Sequence, residues 1–133
     1  MKKTLVPGVQ GEARHRVVTE DLVSFHRPGM PPVLATPWLL DVMETAAYEA
    51  IRPHLEPGEA SVGVGFEFEH LAPTPAGDTI VATARITAVE GKRIELDFEA
   101  RDSYELVARG KHVRAVVNLE RFRKRLKRKT GHF

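Results

Sequence analysis

No cysteine occurs among the 133 residues, which removes disulfides, thiolate metal sites and cysteine nucleophiles at once. Any nucleophile must therefore be an oxygen, of a side chain or of a water. No apolar run approaches the roughly 18 to 20 residues that cross a bilayer, and Lys2 and Lys3 are followed by no apolar signal-peptide core. A membrane partner is not expected, and a cytoplasmic location is. Net charge is also scarce, at +2, but it is unevenly placed. Arg121, Arg123, Lys124, Arg125, Lys127, Arg128 and Lys129 crowd the C-terminus and leave the remainder mildly acidic. Such a run reads first as a solvated helix end, and second as a surface that attracts the phosphates of a nucleic acid or a coenzyme.

What is present is ordinary for a globular chain: 42% apolar and 29% charged residues, well above the hydrophobicity of chains that stay disordered. The length suits one domain, residues 1–133, with a single core. Gly11 to Thr19 is a first strand candidate, and Ser24 to Pro32, with Pro28, Gly29, Pro31 and Pro32, reads as a stiff irregular loop. Thr36-Pro37 then predicts a helix start, with the Thr36 hydroxyl as N-cap and Pro37 pre-set for the first turn. That helix runs to Ile51 and is stopped by Pro53. From Ser61 the apolar period becomes two. Strands are expected over Ser61 to Ala72, Thr79 to Val89, Arg93 to Arg101 and Leu106 to Asn118, with a closing basic helix from Leu119 to about Arg128. One buried helix preceded by a strand and followed by a four-stranded meander is the element order of an α+β hotdog fold, in which a curved antiparallel sheet wraps a central long helix. The outer face and edge strand of such a sheet are usually covered by a second subunit, so a homodimer is expected.

Ionisable residues on faces that should be buried carry the most information, because burying a charge without a partner is expensive. Leu40, Met43, Ala47 and Ile51 form a helix stripe, and Glu44 lies within it. On the strand after Ser61, Val62, Val64, Phe66 and Phe68 alternate on one face, and His70 comes next on that face. A helix carboxylate and a strand imidazole are thus expected to converge in an apolar site. A carboxylate that holds an imidazole in one tautomer prepares it as a general base. Thr36, at a helix start, sits beside free N–H groups that stabilise an oxyanion. Gly63 and Gly65 read as a bulge or a place of close approach. His15, His26, His54, His112 and His132 show no metal-ligand spacing, so no metal site is predicted.

Several segments together resemble the fluoroacetyl-CoA thioesterase-like branch of the hotdog thioesterases. They are Val33-Leu34-Ala35-Thr36-Pro37, Met43-Glu44-Thr45-Ala46-Ala47, Ile51-Arg52-Pro53, Val62-Gly63 and His70-Leu71-Ala72-Pro73-Thr74-Pro75-Ala76-Gly77. The resemblance implies an acyl-CoA thioesterase with a catalytic triad of Thr36, Glu44 and His70, and with Gly63 and Arg114 contacting substrate. It implies no cofactor beyond the coenzyme A of the substrate. Fluoroacetyl-selective members close their pocket with aromatic residues ahead of the helix, whereas Phe25 and Met30 stand among prolines here. A short- or medium-chain acyl-CoA is the expected substrate. Two other readings use the same residues: a hotdog enoyl-CoA hydratase or dehydratase, which gains nothing from Thr36, and a non-catalytic acyl-CoA or nucleic-acid binder that relies on the basic tail. Nucleic acid is the less expected partner.

Overall fold

The computed structural model describes residues 1–131, so His132 lies outside the described residues. Strand β1 (Gln10–Arg16) is followed by a short helix α1 (Val23–His26) and the long helix α2 (Thr36–Ile51). Strands β2 (Glu59–His70), β3 (Thr79–Glu90), β4 (Arg93–Arg101) and β5 (Leu106–Asn118) follow, and helix α3 (Leu119–Thr130) closes the chain. All five strands form one antiparallel sheet in the order β1-β3-β4-β5-β2, which leaves β1 and β2 as its edges. With α2 packed against the inner face, this is the hotdog fold. None of the described helices is long and apolar enough to cross a membrane.

Strand β1 stops three residues before the expected Thr19, because Asp21 turns the chain there. Its carboxylate accepts the Val18 N–H at 2.9 Å and lies 2.6 Å from His15 Nε2. The Asp21 carbonyl in turn accepts the N–H of Ala35, which anchors the residue immediately ahead of α2. The segment predicted as irregular, Ser24 to Pro32, begins inside α1 and only then becomes a proline-rich loop.

Helix α2 buries Leu39, Val42, Met43, Ala46, Ala47, Ala50 and Ile51. The buried stripe is therefore centred one step round from the predicted one, and Leu40 and Glu44 lie partly buried on its flank. Small side chains set this rotation. Ala46 and Ala50 lie so close to β1 that a Cβ on Gly11 would strike the Ala46 carbonyl and the Ala50 backbone. Ala82, Ala84 and Ala100 on the sheet are likewise buried. The outer face carries its own compensation. Arg85, Asp97, Lys111 and Glu67 stand side by side across β3, β4, β5 and β2 with alternating sign.

The basic segment forms a capped helix. The Asn118 side chain accepts the Arg121 N–H at 3.0 Å, and Gly131 ends α3 at φ 74° with its N–H donated to Lys127 O. Gly11→Ala is expected to lower unfolding stability by about 1 to 3 kcal/mol in denaturant titration, the usual cost of overpacking.

Candidate active site

Residue Val64 makes the site possible. Across β5, Gly63 stands opposite Arg114 and Gly65 opposite Val113, so Val64 is an extra residue, a β-bulge. The bulge predicted from the two glycines is present, and it reverses the phase of the strand. Before it, Ser61 and Gly63 face α2. After it, Phe66, Phe68 and His70 do. Val62 and Val64 therefore do not share the inner face with His70, as plain alternation predicts; Val64 is 58% exposed.

Thr36 and His70 meet. The Thr36 Oγ1 lies 2.9 Å from His70 Nδ1, at the point where α2 begins and β2 ends. Thr36 does not cap α2, because it is the first helical residue, Ala35 occupies the cap position, and no side chain caps that end. Its hydroxyl is used by the imidazole instead. The N–H groups of Trp38 and Leu39 bond to the Ala35 carbonyl, and Pro37 has no N–H. The Thr36 N–H remains as the donor at the positive end of the helix. Next to Thr36 opens a largely apolar pocket of about 450 Å³, lined in part by Val23, Met30, Pro37 and Trp38.

Glu44 and His70 do not pair within the chain. Glu44 stands eight residues beyond Thr36, about 12 Å of helix rise, and its Oε2 accepts from Arg114 Nη1 at 3.0 Å. Gly63 lies directly beneath; a Cβ there would come within 2.5 Å of the carboxylate. Thus Glu44, Gly63 and Arg114 form one group, and Thr36 and His70 another. His70 Nε2 is buried and has no hydrogen-bond partner among the described residues.

The first group contains two residues that the sequence reading passed over, Ser61 and His112. Arg114, 4% exposed, donates from Nε to Ser61 Oγ and from Nη2 to the Ser61 carbonyl. Its Nη1 also lies 3.2 Å from His112 Nε2. The signal was available in the strand's alternation: Gly110, His112, Arg114 and Val116 share one face of β5, so two polar side chains point into the core. Among the described residues, no cluster of three or more His, Asp or Glu could hold a metal ion.

Burial pushes the pKa of His70 below the ordinary 6.5, against an opposing backbone contact with Ala72. Burial also lowers that of His112, helped by the Arg114 charge and opposed by Gly65 and Glu44. Both rings are therefore neutral near pH 7.

The geometry can be set beside known proteins. The family described as fluoroacetyl-CoA-specific thioesterase matches residues 17–120, which spans both groups of site residues. The chain belongs to this family. As a member of the fluoroacetyl-CoA-specific thioesterase family, it is a thioesterase. The fluoroacetyl-CoA thioesterase of Streptantibioticus cattleyicolor is 40% identical over 100 residues, covering 75% of this chain and 72% of that one. A crystal structure of a phenylalanine-to-alanine mutant of the fluoroacetyl-CoA-specific thioesterase FlK is similar across 97% of this chain and 100% of its own, at 33% identity and a TM-score of 0.88. A thioesterase superfamily member from Thermus thermophilus gives a TM-score of 0.90 at 27% identity, over 97% of this chain and 96% of that one.

The two neutral histidines make stability depend on pH. Below 6.5 the unfolded chain binds protons at these positions that the folded chain does not, so stability falls as the pH drops. Thermal melts are expected to show a declining Tm from about pH 6.5 towards pH 5; a flat profile there would show that the two rings titrate normally.

Proposed function

We propose that this protein hydrolyses a short- or medium-chain acyl-CoA thioester, with Thr36, His70 and Glu44 as its catalytic residues and a homodimer as the working unit. The observation that carries the reading is the Thr36–His70 contact at 2.9 Å, a hydroxyl and a neutral imidazole within hydrogen-bond reach at a helix N-terminus. With the ring proton on Nε2, the Thr36 hydroxyl donates to Nδ1. His70 takes the proton of this hydroxyl, or of a water in its place, as the oxygen attacks the thioester carbonyl. The Thr36 N–H and the dipole of α2 stabilise the oxyanion. Collapse of the tetrahedral species breaks the C–S bond, and His70 returns its proton to the departing CoA thiolate; where Thr36 is the attacking oxygen, a water activated by His70 then cleaves the Thr36 ester, which releases the acid and restores the hydroxyl. The pocket at Val23, Met30 and Trp38 receives the acyl group. Helix α3, the densest positive charge of the molecule, suits the CoA phosphates.

The separation of Glu44 from His70 supports the dimer. Along one β2, Gly63 lies beside Glu44, and the strand ends at the Thr36–His70 contact. Two β2 edges paired antiparallel about a twofold axis set the Gly63 region of one chain beside the His70 end of the other. Each Glu44–Arg114 group then faces a partner's Thr36–His70 pair. The edge has the apolar surface such pairing needs: Val64, Phe66 and Leu71 are 58%, 42% and 44% exposed.

A screen of acyl-CoA chain lengths, read by release of free thiol, is expected to show turnover of short and medium chains. In the same assay His70→Ala should lose about 10²- to 10⁴-fold in kcat with its fold intact, and Thr36→Val should lose activity comparably. Unchanged hydrolysis by His70→Ala would sink the proposal, and a neutral Thr36→Val would favour hydratase chemistry. If the site is shared, co-expressed Thr36→Val and Glu44→Gln chains should form mixed dimers more active than either variant alone. Activity no higher than the mean of the two variants would place each site within one chain.

A further inference from the structure

His112 lies among aromatic rings in the core of β5. It is 1% exposed, and its imidazole stacks between Phe66 and Phe98, with ring centroids 4.3 and 5.4 Å away and both interplanar angles at 15°. Packing alone would be served as well by a phenylalanine. Both ring nitrogens are engaged, however, and their partners define the tautomer. Nδ1 lies 2.8 Å from the Gly65 carbonyl, which can only accept, so Nδ1 carries the proton. In the neutral ring Nε2 is then an acceptor, and Arg114 Nη1 donates to it at 3.2 Å.

The same Nη1 donates to Glu44 Oε2 at 3.0 Å. Arg114 is fixed by four acceptors: Ser61 Oγ, the Ser61 carbonyl, His112 Nε2 and Glu44 Oε2. Of the three that are not Glu44, only His112 shares the nitrogen that holds the carboxylate. The guanidinium is planar, so the two bonds to Ser61 set its plane and the bond to His112 helps hold that N–H pair on the carboxylate. Through Nδ1, His112 also holds Gly65, the residue at which β2 resumes pairing after its extra residue. One ring thus links the bulge that turns His70 inward to the cation that holds Glu44.

We infer that His112 is a positioning residue for hydrolysis, which acts through Arg114 to fix the Glu44 carboxylate and through Gly65 to fix the bulge of β2. It touches neither the thioester nor Thr36. The inference rests on the catalytic reading of Glu44 given above, and goes beyond it in placing a second histidine in the machinery.

The test is a double-mutant cycle between His112→Phe and Glu44→Gln, with kcat measured on protein shown to be folded by circular dichroism. Phenylalanine retains the stack with Phe66 and Phe98 but offers nothing to Arg114 or Gly65. His112→Phe is expected to lower kcat by about 10- to 100-fold, the scale of a misplaced catalytic group, with KM changing much less. His112→Gln, whose amide oxygen can accept from Arg114, should recover part of that loss. In the Glu44→Gln background His112→Phe should cost little more, because the group it positions is already gone.

Full additivity of the two losses would overturn the inference, as would a folded His112→Phe enzyme with kcat within twofold of the parent. Should His112→Phe fail to fold, His112→Leu, which likewise offers nothing to Arg114 or Gly65, takes its place in the cycle and is judged by the same criterion. The two levels fail differently. If Glu44→Gln lowers kcat and His112→Phe does not, only the positioning role falls; if Glu44→Gln leaves kcat unchanged, the catalytic reading of Glu44 falls and takes this inference with it.

Discussion

The phase of β2 is the constraint on which the site depends. A strand presents alternate residues to one face, so without an inserted residue Gly63 and His70 could not both look at α2. Val64 absorbs the mismatch, and the ladder to β5 resumes at Gly65. Of the two glycines, only the first is required by what a side chain there would meet. Gly63 has no Cβ because the Glu44 carboxylate occupies that space. Gly65 supplies the carbonyl that His112 holds. The bulge is therefore fastened from the neighbouring strand, and the direction of His70 depends on that fastening.

Helix α2 converts this phase into a site. Its depth in the sheet is governed by small residues, with Gly11 beneath Ala46 and Ala50, and its start is tied down through the Ala35 N–H to the Asp21 carbonyl. Thr36 is held at His70 by these two constraints together. Two turns on, the flank of the same helix carries Glu44 to Arg114. The groups at the two ends of this span are what a pair of β2 edges, related by a twofold axis, would bring face to face.

Burying a guanidinium is the largest electrostatic demand in the chain. An unpaired buried ion costs several kcal/mol, more than one surface ion pair returns. Arg114 meets that cost with four acceptors, two of them from Ser61. Glu44 is 37% exposed at the side chain, so water screens its share of the pair and leaves the carboxylate accessible. The cation is thus well satisfied while the carboxylate beside it stays partly solvated.

The element order, the lengths of most strands and the helix start at Thr36 were legible in the sequence, because apolar period, proline and glycine act locally. The inward face of His70 was legible too, since His70 follows Phe66 and Phe68 in unbroken alternation. Other features were decided only by the tertiary structure. A bulge leaves no trace in composition beyond two glycines, so the reversal at Val64 and the inward turn of Gly63 could not be assigned from periodicity. Whether the Thr36 hydroxyl caps its helix or meets an imidazole depends on which partner the fold brings within 3 Å. Likewise Glu44 was readable as a carboxylate near the core, but its partner, Arg114, lies seventy residues away and is chosen by the register of β5 against β2. Local chemistry determined which groups this chain carries, and strand register determined which of them meet.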